Sequence, residues 1–164
     1  MELQVLKQAL GIDVAKDTLS LCLGTLNLDL EKEFTASADV TNDAKGYQKI
    51  EKWLNKLKVQ KEKLVVVMEA TGVYYEALAL YLHQRGYTIS VMQSGRVKRY
   101  AQSLSQRSKT DALDSRMLAM LGCERKLPLW SPPDKTLRHL KALSRERSFL
   151  LKEKNVEKNR LHAF

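Results

Sequence analysis

Leu64-Val65-Val66-Val67-Met68 is a continuous apolar run, and it stops on an acid, Glu69. A strand with one wet face alternates apolar and polar residues. A run apolar at every position is instead covered on both faces, the pattern of a strand inside a parallel sheet. The sequence on either side supplies the covering elements. Upstream, Asn42 or Asp43 can cap a helix whose apolar positions Tyr47, Ile50, Trp53, Leu54 and Leu57 recur at helical spacing, with a lysine-rich opposite face. Downstream, Tyr74, Leu78, Tyr81 and Leu82 define a second amphipathic helix ended by Gly86 as a left-handed cap, and Thr88 to Met92 reads as a further strand.

Towards the N-terminus, the apolar run from Gln8 ends in Gly11-Ile12-Asp13-Val14, and Leu19, Leu21 and Leu23 then alternate with Ser20, Cys22 and Gly24. These read as two strands. Leu28, Leu30 and Phe34, evenly spaced among charged residues, suggest a third at the sheet edge, and the short connections favour antiparallel pairing. Beyond Met92, Arg96 to Leu104 reads as a short basic helix and Thr110 to Glu124 as a longer one with Leu113, Met117, Leu118 and Leu121 inward. Three antiparallel strands followed by helix, strand, helix, strand give an α/β class: a mixed five-stranded sheet flanked by helices, with right-handed crossovers in its second half. That order is similar to ribonuclease-H-like folds. Pro128 and the cluster Ser131-Pro132-Pro133-Asp134 break the chain, so residues 1–127 are expected to form the main domain. Residues 128–164 then form a linker and one long, basic, coiled-coil-like helix from Lys135 to Phe164.

The net charge of +9 is unevenly distributed: residues 1–95 hold 11 Lys and Arg against 12 Asp and Glu, and residues 96–164 hold 17 against 7. A basic excess confined to one half points to a polyanion, with nucleic acid the leading partner, because clustered Lys and Arg release the counterions condensed on phosphates. No stretch approaches the ~20 apolar residues that cross a bilayer, and the N-terminus has no signal-peptide pattern. Cys22 and Cys123 lack metal-ligand spacing, and His83, His139 and His162 share none either. A reducing, cytoplasmic compartment and no membrane partner are expected.

Four acids stand out by position. Asp13 lies on the first strand, Glu69 ends the valine strand, and Asp111 and Asp114 are three apart on one helical face. If the first and fourth strands are adjacent, Asp13 and Glu69 become neighbours, and a helix over that edge brings Asp111 and Asp114 within reach. Converging carboxylates repel one another unless cations sit among them. Two Mg²⁺ about 3.5–4 Å apart are the natural occupants for phosphodiester chemistry, Asp13 bridging both and the other three acids each helping to hold one. Each acid also has an ordinary structural explanation. Asp13 can cap the turn into Val14-Ala15-Lys16, Glu69 can be a plain strand-end acid, and Ser108 to Asp111 fits a capping box. Asp17 is an alternative acid just downstream. Arg96, Lys98, Arg99, Arg107 and Lys109 form a basic stretch ahead of the helical pair, suited to a phosphate backbone or simply to solvent. Tyr74, Tyr75 and Tyr100 are expected to pack in the core.

Gly11-Ile12-Asp13-Val14-Ala15-Lys16, Glu69-Ala70-Thr71-Gly72-Val73-Tyr74 and Lys109-Thr110-Asp111-Ala112-Leu113-Asp114 closely resemble the three signature blocks of the DEDD transposases of insertion sequences. That family includes the pilin-gene invertases and the bridge-RNA-guided recombinases. The likeness runs from about residue 8 into the basic C-terminal helix. It implies a RuvC-like domain with Asp13, Glu69, Asp111 and Asp114 at the family's four acidic positions. It also implies Mg²⁺ or Mn²⁺, a DNA substrate and a bacterial or archaeal, nucleoid-associated setting; a guide RNA and a homo-oligomer formed through the C-terminal helix are further partners it raises. Where the family often reads Asn-Pro after the last strand, this chain has Gln93-Ser94-Gly95, a departure that bears on loop geometry. The family continues past the basic helix into a second domain, which in the RNA-guided branch carries a nucleophilic serine. Ser144 and Ser148 are not assigned that role, and the chain is expected to be incomplete for full recombination.

Three other readings compete. An actin-like ATPase or sugar kinase also begins with a strand ending Gly-Ile-Asp, but it needs a Gly- and Ser/Thr-rich phosphate loop where this chain has Ala15-Lys16-Asp17. A Holliday-junction resolvase would share fold and metals but not substrate. A non-catalytic RNA- or DNA-binding assembly module would not depend on the acids.

Overall fold

A computed structural model describes residues 4–35, 38–104 and 111–162, with the side chains of 111–113 and 162 outside the description. Two compact units are present, Met1–Ser131 and Pro132–Phe164. In the first, the strands are β1 (Val5–Val14), β2 (Thr18–Asn27), β3 (Lys32–Phe34), β4 (Ala38–Thr41), β5 (Leu64–Glu69) and β6 (Thr88–Met92). The helices are α1 (Ala44–Lys56), α2 (Glu76–Gln84), α3 (Ser94–Ser103) and α4 (Asp111–Glu124). The strand order is β3-β2-β1-β5-β6, with β4 also on β2. β1, β2 and β3 pair antiparallel, while β5 runs parallel to both β1 and β6.

The described sheet thus has six strands where the sequence pattern suggests five. The additional one, Ala38-Asp39-Val40-Thr41, is too short to show periodicity, and it forms because β2 offers Thr18 to Leu21 as an open edge. Leu28 and Leu30, expected in the third strand, lie in the turn before it. They are 55% and 69% exposed, and Leu30 sits at φ 67°, a left-handed position incompatible with a strand.

Alternation along the strands sends side chains to two cores. Leu10, Ile12, Leu21, Val66, Met68 and Ile89 pack beneath Tyr47, Ile50 and Leu54 of α1 and Leu78 and Leu82 of α2. On the other face Ala9, Val65, Val67 and Met92 meet Val97 of α3 and Met117, Leu118 and Leu121 of α4. The valine run is buried from both sides, as its composition requires. Asp43 caps α1 by accepting from the Gly46 amide at 2.7 Å, and Gly86 ends α2 at φ 76°. Trp130 donates its amide to Ile89 O at 2.8 Å and Ser90 Oγ donates to Pro128 O at 2.8 Å, so residues 128–130 cover the outer edge of β6. Cys22 and Cys123 are free, buried thiols; burial pushes the Cys123 thiol up to about 11, and it stays protonated and unreactive at neutral pH.

The C-terminal end of α4 is anchored by Glu124, which pairs with Lys32 and accepts from Tyr100 Oη at 2.7 Å. Lys32 and then Tyr100 hold the Glu124 carboxyl below its usual value, burial opposing them. A depressed folded-state pKa contributes stability that is complete above the ordinary carboxylate range, about 4.3, and is lost as pH falls through the lower folded value. The melting-temperature gap between the wild type and Glu124→Gln is therefore expected to be constant near neutrality and to close in acid. A gap independent of pH would show that the carboxylate charge is not what anchors the helix end.

The described residues of the second unit form the helix α5 (Lys135–His162), begun by Asp134, whose carboxylate accepts from the Leu137 amide at 2.6 Å. Side chains 135–161 are exposed along its length, including Leu137, Leu140, Leu143, Leu150 and Leu161. No helix among the described residues is long and apolar enough to cross a membrane.

Candidate functional site

The parallel register of β1 and β5 pairs Ile12 with Met68. Continued by one residue, it sets Asp13 beside Glu69, and neighbours on one rung of a parallel pair project to the same face. That face is fixed by what lies on either side: Ala9 and Val67 belong to the core under α4, and Glu69 is itself paired with Met92, which belongs to the same core. Both acids are half-buried. They stand at the carboxyl end of the central strands, the edge where parallel sheets open onto their loops.

Helix α4 crosses this face at very short range. A Cβ added to Gly11 would lie 2.0 Å from Ser115 O and 2.4 Å from Ala119 N, and one added to Gly122 would lie 2.6 Å from Ala9 Cβ and 2.8 Å from Val67 Cγ2. Two glycines, one on the strand and one on the helix, permit backbone-to-sheet contact that any larger residue would prevent. These contacts also fix the helix direction: Gly122 lies over Ala9 and Ser115 over Gly11, so α4 runs antiparallel to β1. Traced backwards from Ser115, it approaches the end of β1 that bears Asp13. Asp114 immediately precedes Ser115 and is half-buried; position 111 opens the helix one turn earlier, with its side chain outside the described residues. Among the described residues no group of three or more His, Cys, Asp or Glu stands close enough to hold a metal ion. The structure therefore places Asp13 and Glu69 one residue past the last β1–β5 rung and brings α4 towards the same edge, without drawing a third described carboxylate to coordination distance. The donors at this edge are carboxylate oxygens, the ligand type suited to hard divalent cations rather than to soft metals.

Asp17 is exposed in the β1–β2 turn, where its carbonyl accepts from the Asn42 amide at 3.0 Å. Glu69 has a local contact, Thr71 Oγ1 at 3.4 Å. Arg96, Lys98 and Arg99 are exposed on α3, which begins two residues after Met92, beside the acid rung, and is held to the sheet by buried Val97. Arg107 and Lys109 lie outside the described residues.

The expected core placement of Tyr74 is corrected. Tyr75 packs against the α1/α2 core, but Tyr74 is 42% exposed in the loop after Glu69, where Gly72 at φ 60° turns the chain outward. The glycine two residues ahead of it was the available signal. Asn42, read only as a possible helix cap, joins the two loops that leave the acid rung; nothing in its local sequence marks that contact.

Comparison with known proteins agrees with this architecture. A family model described as a transposase, of the DEDD type, matches residues 10–164. Pilin gene-inverting proteins of Moraxella lacunata and Moraxella bovis are 31% and 30% identical over 157 residues, which is 96% of this chain and 47% of each relative. The chain spans about half the length of the curated relatives it matches. Among solved structures, T. thermophilus RuvC in complex with a Holliday junction substrate superposes with a TM-score of 0.51 at 10% identity, covering 70% of this chain and 90% of that one, a likeness of fold. The mixed sheet is RuvC-like in fold, and the transposase match over nearly the whole length establishes that this chain belongs to the DEDD transposase family.

Proposed function

We propose that the chain is the catalytic domain of a DNA transposase or recombinase that cleaves or transfers phosphodiester strands with two divalent ions. The observation that carries this reading is the Ile12–Met68 rung, the last of the β1–β5 ladder, which leaves Asp13 and Glu69 next in line at the carboxyl edge towards which the start of α4 is directed. Asp13, Glu69, Asp111 and Asp114 would hold the ions. Mg²⁺ or Mn²⁺ bound there would activate the attacking water or hydroxyl and stabilise the leaving oxygen. The protein's own part is to carry Asp13 and Glu69 on paired strands and Asp114 on a helix seated against Gly11. Mn²⁺ titration of the chain beside Asp13→Asn tests the reading: equal affinity would remove the carboxylate assignment.

DNA is the proposed substrate, and the exposed Arg96, Lys98 and Arg99 on α3, with Arg107 and Lys109, are its proposed phosphate partners. Removing a cation that neutralises one phosphate makes the negative slope of log affinity against log salt shallower by about 0.9 on duplex DNA. The triple variant Arg96→Ala, Lys98→Ala, Arg99→Ala is thus expected to make the slope shallower by roughly 2–3 and to weaken binding evenly across sequences. An unchanged slope would assign these side chains to solvent. A guide RNA as a second nucleic-acid partner belongs to this proposal, as does pairing with a second copy of the chain through the leucines of α5.

A further inference from the structure

Asn42 sits between β4 and the Asp43 cap of α1, half-buried, and every polar group of its side chain is engaged. Its Nδ2 donates to Ala15 O at 2.9 Å and to Tyr74 O at 3.2 Å, and its Oδ1 accepts from Tyr47 Oη at 2.8 Å. Its backbone amide also donates to Asp17 O at 3.0 Å. Ala15 and Asp17 belong to the turn two to four residues beyond Asp13, and Tyr74 to the loop that leaves Glu69. Two carbonyl oxygens need two donors and a hydroxyl needs an acceptor, so the amide has one orientation that satisfies all three, and asparagine is the short side chain that supplies both.

We propose that Asn42 is a positioning residue for the carboxylate pair, a clamp that ties the loop after Asp13 to the loop after Glu69 and fixes the separation of the two acids. β1 and β5 are hydrogen-bonded only as far as Ile12 and Met68, so the two acids stand where the ladder ends. Past the last paired rung, Asn42 bridges the turn after β1 and the loop after β5. The hydroxyl of Tyr47, a buried residue of α1, donates to the amide oxygen, while the two donors alone tie the loops. The role rests on the metal-holding reading of Asp13 and Glu69.

The test is Mn²⁺ titration of the full chain, followed by electron paramagnetic resonance, for the wild type, Asn42→Asp, Tyr47→Phe and Asp13→Asn, each with a thermal melt. Asn42→Asp keeps the acceptor for Tyr47 and removes the two donors. It is expected to raise half-saturating Mn²⁺ by about tenfold or more, the range for residues that orient metal ligands, with saturation recovered at higher Mn²⁺. Tyr47→Phe is expected to lower the melting temperature while leaving Mn²⁺ affinity within about twofold of the wild type. Asn42→Ala, which places no carboxylate against the two carbonyls, is measured in its stead where the aspartate form does not fold. A folded Asn42 variant that binds Mn²⁺ like the wild type, while Asp13→Asn does not, overturns the clamp and leaves the carboxylate reading standing. Wild-type affinity in Asp13→Asn overturns that reading and the clamp with it.

Discussion

On the proposed two-metal reading, replacing Asp13 with asparagine is expected to cut divalent-metal-dependent strand cleavage about a thousandfold while leaving the fold intact. The substitution keeps the size of the side chain and a carbonyl oxygen, and removes a negative charge that a hard cation requires. Metal assistance is worth several kcal/mol of transition-state stabilisation; at about 4 kcal/mol the loss is on the order of a thousandfold in rate, taking 1.36 kcal/mol per factor of ten. Asp13 is singled out because it stands with Glu69 one residue past the last β1–β5 rung and because α4 is seated two residues before it, at Gly11. Asp17→Asn is the control. That acid is exposed in the turn, and its link to the fold runs through its backbone carbonyl, which the substitution leaves unchanged. Cleavage of a labelled DNA substrate over a Mn²⁺ series, with circular dichroism on each variant, separates the outcomes. Activity within tenfold of the wild type in Asp13→Asn would falsify the assignment of this strand-end acid to the reaction.

Gly11→Ala is expected to destabilise the first unit strongly, by lifting α4 from the sheet. The new Cβ would fall 2.0 Å from a helix carbonyl and 2.4 Å from a helix amide nitrogen, so no side-chain rotation relieves it and α4 must lift from the sheet. Overpacking of this kind costs about 1–3 kcal/mol, and a backbone-to-backbone clash belongs at the upper end. For a chain of this length that is a fall of roughly 6–12 °C in melting temperature, at about 2–4 °C per kcal/mol. Mn²⁺ affinity should fall with it, since the lift moves Asp114 relative to Asp13. Gly95→Ala is the comparison, with no atom within 4 Å of the added methyl and a helical position that favours alanine. Its melting temperature should be unchanged or higher. Equal melting temperatures for the two variants would show that α4 does not rest on β1 as described.

The fold was largely legible because its signals are local. Five successive apolar residues from Leu64 need cover on both faces wherever they sit, Leu19, Leu21 and Leu23 alternate whatever they pair with, and Gly86 marks a helix end by its own conformational freedom. Leu28 and Leu30 misled for the same reason. Apolar residues at even spacing imitate a strand, but the left-handed backbone at Leu30 belongs to a tight turn that composition does not reveal. β4 was invisible, since four residues become a strand only when a neighbouring edge is open to them.

Within the site, the sequence alone determined which residues carry charge and, through three ordered blocks, the family. Ionisable groups and periodicity are properties of the chain itself. The tertiary structure decided the rest: that Ile12 and Met68 share a rung and carry Asp13 and Glu69 with them, that glycines at 11 and 122 let α4 lie directly on the sheet, that Tyr74 faces outward, and that Asn42 spans two loops 27 and 32 residues away. Register, helix direction and long-range hydrogen bonds arise between segments distant in sequence, and they are fixed only when the whole sheet assembles.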